Sequence, residues 1–191
     1  MRPYHDRAMT DGDAGVAAVA ARSADSAARK DAPQVRANWE ATDDLIDGVV
    51  VHEVRNVVTR NGITTELLRA DWGVTSREIV HAIHVSFRAG ALAAWHMHRK
   101  KTDYIFVTSG LIKLVLFDDR TGSPTRGRIN ELFLSLERPR LIVIPPAVFH
   151  GLQALGGPAT FVNYFDHQYQ YDNPDEYRLP PDAAEIPYRF V

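Results

Sequence analysis

The residues best suited to chemistry lie in "GALAAWHMHRKKTDYIFVTSG", Gly90 to Gly110. One residue separates His96 from His98, Asp103 follows five positions after His98, and His150 lies far downstream in "IPPAVFHG". An imidazole titrates near neutral pH and can move a proton; when neutral it also ligates divalent metals. Three imidazoles and a carboxylate can therefore do acid–base work or hold Zn, Fe, Ni, Mn or Cu, and spacing alone does not choose among these. A solitary histidine on a strand is usually a satisfied or solvated residue. That is the reading for His5, His52, His81, His84 and His167.

The cluster needs elements to position it. If residues 94–98 form a strand, alternation places Ala94, His96 and His98 on one face and Trp95 and Met97 on the other. A short turn through Arg99–Thr102 would return Asp103 beside the histidines, and His150 follows the apolar run "RLIVI" and a proline turn. From about Asp47 the chain is a series of short runs rich in Val, Ile, Leu and Phe: "GVVVHEV", "TTELLRADW", "REIVHAIHVSF", "DYIFVTSG", "LIKLVLF", "NELFLSL", "RLIVIPP" and "ATFVNYF". Gly, Pro, Asn, Asp and Ser punctuate them, as expected of strands. Many strands with little helix between them predict an all-β sandwich or barrel of antiparallel strands. In "IVHAIHVSF", Ile79, His81, Ile83, Val85 and Phe87 should share a face. The proline-rich end, "YDNPDEYRLPPDAAEIPYRF", should wrap this body as ordered loop. The start differs. "AGVAAVAARSADSAARKDAP" favours helix by composition but carries no wide apolar stripe. A mobile tail or short docking helix is expected over residues 1–44, ahead of one domain over 45–191.

Composition narrows the function classes. A chain of 191 residues, 45% hydrophobic and 24% charged, is enough for one domain with a core. The net charge of −2 gives no broad basic face, so a nucleic-acid partner is not expected. With no cysteine, disulfides, thiolate metal sites and a thiol nucleophile are excluded. No run reaches the ~18 apolar residues of a membrane span. The opening "MRPYHDRAMTDGDAG" has acids and glycines where a secretory segment would be apolar, so a cytoplasmic location without a membrane partner is expected.

The pattern Gly-x5-His-x-His-x4-Asp-x6-Gly, followed by Pro145-x-Ala147-x2-His150, resembles the paired motifs of the cupin superfamily. In this chain Asp stands where Glu is usual, and Ala147 where the second motif has Gly. A narrower likeness lies in Trp95-His96, in "DDRTGSPTRG" (Asp118, Arg120, Ser123, Pro124, Thr125, Gly127) and in Ile144-Pro145 with His150-Gly151. These resemble the dTDP-4-dehydrorhamnose 3,5-epimerase family over about residues 45–190. The resemblance implies a cupin jelly roll, a homodimer, a nucleotide-sugar substrate and no required cofactor. It implies proton abstraction beside a ketone and reprotonation from the opposite face, with His96 as base. The acid should lie on "ATFVNYF", with Tyr164 the candidate and Asn163 the competitor for that position. His150 would polarise or orient the substrate, and His98, Asp103 and Arg120 would contact it.

Departures from the family keep other functions open. Ala93 stands where the family has an arginine for the diphosphate, His98 where it has glutamine, and Asp103 near its lysine. Arg99, Lys100 and Lys101 could restore charge, although such a turn is ordinarily solvated surface. Glu66, Arg69, Arg77 and Lys113 are further charged candidates for the mouth. The alternative to an epimerase on a 4-keto-6-deoxy sugar nucleotide is a metal-dependent cupin enzyme, an isomerase, cyclase, lyase or oxygenase. It would hold one divalent transition ion on His96, His98, Asp103 and His150. A third function is a non-catalytic cupin that binds a small ligand.

Overall fold

Two long strands carry the architecture. In the computed structural model, β6 (Asp103–Asp118) and β9 (Val148–Phe165) pair antiparallel along almost their whole length. The other strands are β1 (Val50–Glu53), β2 (Asn56–Thr59), β3 (Gly62–Thr65), β4 (His81–Phe87), β5 (Leu92–Met97), β7 (Ile129–Leu134), β8 (Arg140–Ile144) and β10 (Tyr177–Arg178). The structure describes residues 28–30, 37 and 44–191, and the barrel unit runs over Asp43–Val191. The expected tail or docking helix at 1–44 falls almost wholly outside the described residues. Among the described residues no helix is long and apolar enough to cross a membrane.

The halves of β6 and β9 belong to different walls. Asp103–Phe106 pair with β8, and the end of β9 pairs with β4, giving the wall β1-β8-β6-β9-β4. Beyond the bend, Ile112–Phe117 pair with β7 and the start of β9 pairs with β5, giving the wall β7-β6-β9-β5-β10. This is the antiparallel jelly roll that the sequence predicts. The chain bends where the β6–β9 register shifts, between Val107 and Leu111. A one-residue slip changes which alternate residues face inward. Ile105 and Val107 point into the main core before the bend, and Ile112, Leu114 and Leu116 after it. β9 makes the same exchange, from Val148, Leu152 and Ala154 to Ala159 and Phe161.

Both faces of β6 are covered, which is why "LIKLVLF" is apolar almost throughout. Val115 and Phe117 pack under the C-terminal segment with Ile186, Tyr188 and Phe190. Tyr104 and Phe106 pack against Leu67, Leu68, Trp72 and Val74.

The structure corrects three element assignments. "DYIFVTSG" and "LIKLVLF" are one strand, because Gly110 takes φ +73° and lets Pro158 pass; a Cβ there would meet the Pro158 carbonyl at 2.5 Å. "TTELLRADW" is a strand only to Thr65, after which Ala70–Trp72 form a 3-10 turn closed by Gly73 in the left-handed region. The C-terminal segment wraps as expected, apart from Tyr177–Arg178, which add to β5 opposite Met97 and His96.

Candidate active site

A cavity of about 240 Å³ opens between the two walls. β4 supplies Ile83, Val85 and Phe87, the alternating face predicted from "IVHAIHVSF". Ile79 instead joins the outer cluster around Tyr104. β5 and the following turn supply Ala93, His96, His98 and Lys101, β6 supplies Asp103, and β9 supplies His150 and Asn163. The four residues singled out by spacing therefore line one cavity. His96 and His150 are direct partners in the β5–β9 ladder, with ring centres 5.9 Å apart; those of His98 and His150 are 5.3 Å apart.

The alternation expected for 94–98 breaks at one point. The β5–β9 register shifts between Ala93 and His96, so Ala93 faces the cavity while Ala94 joins Trp95 in the outer cluster. Tyr164 is also displaced from its expected place. Phe161, Asn163 and Phe165 line the cavity, and Tyr164, one step out of phase, packs outside near Tyr104 and Phe106. Asn163 therefore occupies the position proposed for the acid.

Arg120 lies away from the cavity. It donates from its backbone N–H and Nε to Asp118 Oδ1 at 3.0 and 2.9 Å, and its guanidinium also reaches the Asp47 carbonyl. Of the other charged candidates, Arg69 pairs with Glu66 and Asp71 at the surface, Arg77 meets His167, and the Lys113 ammonium sits over Tyr188 and Phe190. None of these lines the cavity.

The site also contains residues that sequence reasoning passed over. Lys101, read as solvated surface, is only 6% exposed; its ammonium is 3.0 Å from Glu176 and lies over the Phe165 ring. Arg178 donates to His96 Nε2 at 3.1 Å and to Glu176 at 3.1 Å. Asp175 accepts from the backbone N–H groups of Arg99, Lys100 and Lys101 at 3.0, 2.8 and 3.2 Å. Successive N–H groups in a turn form a natural carboxylate cradle. The same residue's carbonyl accepts His98 Nδ1–H at 2.6 Å. The strap at 175–178 thus sets both the turn and the histidine. No local pattern could reveal partners roughly eighty residues away.

Electrostatics follow from burial. Desolvation, with help from His150 and Arg178, lowers His96 to about 4. Desolvation lowers His150 to about 4 as well, and it lowers His98 despite the attraction of Asp103. The same burial raises the Asp103 carboxyl. Burial thus favours the neutral form of each imidazole, the form that accepts a proton or ligates an ion. Ligand atoms of His98, Asp103 and His150 all lie within 4.8 Å of one another; His96 falls outside that group.

Known proteins resemble the chain in sequence and in fold. The chain is 30% identical over 139 residues to a probable low-salt glycan biosynthesis epimerase of Haloferax volcanii, covering 72% of this chain and 89% of the relative. It is 31% identical over 147 residues to a spore coat polysaccharide biosynthesis protein of Bacillus subtilis, covering 76% and 97%. The fold superimposes with a TM-score of 0.70 on a dTDP sugar isomerase from Desulfovibrio desulfuricans, at 30% identity and covering 75% and 90% of the two chains. It superimposes with a TM-score of 0.68 on a Bacillus anthracis dTDP-4-dehydrorhamnose 3,5-epimerase with TDP and pyrophosphate bound, at 20% identity and covering 78% and 88%. Residues 44–190, which hold both bent strands, the histidine cavity and the Asp118 turn, match the family described as dTDP-4-dehydrorhamnose 3,5-epimerase, and the chain belongs to that family.

Proposed function

We propose that the chain is an epimerase acting on a keto-sugar joined to a nucleotide. Membership of the epimerase family supports this reading, and the observation that carries it is His96 on the cavity wall, paired with His150 across the β5–β9 ladder. His96 removes the proton from the carbon beside the ketone, the electron pair moves onto the carbonyl oxygen, and a proton returns to the opposite face of the carbon. At about 240 Å³ the cavity has room for a sugar ring.

Two cations stand where an anionic substrate would need them, although Ala93 cannot supply the family's arginine. Lys101 is a buried ammonium with three donors, suited to the developing enolate oxygen. Arg178, with a side chain 62% exposed, caps His96 Nε2. A diphosphate drawing Arg178 toward itself would free that nitrogen as the base.

The test is solvent deuterium exchange into a 4-keto-6-deoxy sugar nucleotide, followed by NMR. Exchange at carbons flanking the ketone is expected, with His96→Ala slowing it by about 10²–10⁴-fold. No exchange by the wild-type chain would defeat the reading, and ligand binding without exchange would favour a binding cupin. We extend the proposal to a cytoplasmic homodimer. Val58 and Ile63, direct partners in the β2–β3 hairpin, are exposed apolar residues on one face of it. Light scattering of the purified chain tests the dimer.

A further inference from the structure

We propose, on the reading of His96 as the base, that Asp103 is the catalytic acid and gives a proton to the face of the carbon opposite His96. An epimerase must return the proton from the side that the base does not occupy. The cavity opens between two walls. His96 and its ladder partner His150 stand on one of them, on β5 and the start of β9. Asp103 stands on the other, at the start of β6, where it pairs with Ile144 of β8 and Phe165 at the end of β9.

That second wall offers little else that could give up a proton. Its β4 presents only aliphatic and phenyl side chains to the cavity, and the end of β9 presents Phe161, Asn163 and Phe165. A carboxamide holds its hydrogens too tightly to act as a general acid near neutral pH, so Asn163 cannot do what a tyrosine in its place would. Among the described residues lining this wall, Asp103 alone carries an ionisable group. Asn163 instead positions it. Its Nδ2 donates to Asp103 Oδ1 at 2.8 Å, which leaves Oδ2 as the oxygen for the proton. Lys101 comes from the turn between the walls, and Glu176 at 3.0 Å stabilises its ammonium against giving up a proton.

The neighbouring imidazole shows where the hydrogen must lie. His98 donates Nδ1–H to the Asp175 carbonyl at 2.6 Å, because a carbonyl can only accept. Its Nε2 then faces Asp103 Oδ2 at 3.5 Å. The two residues are 5% and 2% exposed, and two bare lone pairs facing each other in so dry a place would repel; one proton between them removes the conflict. Burial pushes the Asp103 carboxyl up and His98 down, which assigns that proton to the carboxyl. In the second half of the reaction the ketone C=O re-forms, and the enolate carbon takes the proton from Oδ2. The new C–H bond forms as the O–H bond breaks, leaving a carboxylate. Once product has left, Asp103 regains a proton and His96 gives one up to water, which closes the cycle.

The test separates proton exchange from inversion. The full chain is incubated with a 4-keto-6-deoxy sugar nucleotide in D₂O. NMR reads deuterium entering beside the ketone and, separately, the fraction of sugar that has inverted. Wild type is expected to do both. In Asp103→Asn the base still works, so exchange should stay within about tenfold of wild type, with configuration retained, while inversion falls at least about 100-fold. His98→Gln, which removes the imidazole facing Oδ2, should bias the ratio the same way by about tenfold. It stands in if thermal unfolding shows that Asp103→Asn does not fold. A purely structural role for Asp103 would lower exchange and inversion together, and that result would overturn the proposal. Undiminished inversion in Asp103→Asn would overturn it as well. No exchange by wild type would overturn the epimerase reading and this one together.

Discussion

Asp118 and Asp103 are both buried carboxylates on β6, one at each end of the strand, and their surroundings are opposite. Asp118 is surrounded by donors. Arg120 supplies its backbone N–H, Nε and a terminal nitrogen, and the Ser123 and Thr125 hydroxyls each donate at 2.6 Å. Burial alone would raise its carboxyl, but these bonds hold it well below the usual carboxylate range. Asp103 receives one donor, from Asn163, and burial pushes its carboxyl up. A saturated buried acid fixes a shape. One with a single amide donor leaves its other oxygen beside an imidazole, 3.5 Å from His98 Nε2. The "DDRTGSPTRG" stretch is therefore held as a turn by these bonds, with Arg120 as its clamp.

The comparison can be broken at the Asp118 end first. Asp118→Asn leaves Arg120 without its carboxylate and should cost about 3 kcal/mol, read as a lower urea midpoint. The pH dependence has a definite sign. A folded carboxyl held below its unfolded value contributes stability that is complete above about pH 4 and is lost as pH falls through the folded value. Wild type should therefore lose stability between about pH 4 and pH 2, and Asp118→Asn should show a flatter acid limb. An unchanged acid limb would mean that the turn holds without its charge.

At the other end, Asp103→Asn removes a burial penalty and keeps the shape, so stability, read as the urea midpoint, should change by less than about 1 kcal/mol. A large loss of stability would show that Asp103 is scaffold after all. The smallest effect is expected at Tyr164. With its ring outside the cavity, Tyr164→Phe should alter exchange rate less than about twofold, whereas a drop of two orders would return the acid role to it.

Much of the site is legible in the sequence, for reasons of chemistry and period. A run that alternates apolar with polar buries one face as a strand, and a short β-branched apolar run between glycines and prolines suits a strand covered on both faces. His96, His98, Asp103 and His150 stand out by type and spacing and do line one cavity. The absence of cysteine and the near-neutral charge removed whole classes of function. What alternation could not carry was phase. One register shift in β5 sent Ala94 outward with Trp95, and the phase of β9 put Asn163 in the cavity and Tyr164 outside it.

Composition and spacing thus determined an antiparallel barrel with a histidine-rich mouth, because side-chain period and ligand chemistry are local properties. The tertiary structure alone decided which histidine is free. Asp175 and Arg178 come from a strap about eighty residues away, one donating no hydrogen but accepting His98 Nδ1–H, the other capping His96. Tautomer and availability of a lone pair depend on what lies at the far side of a ring, and that is set by the packing of distant segments.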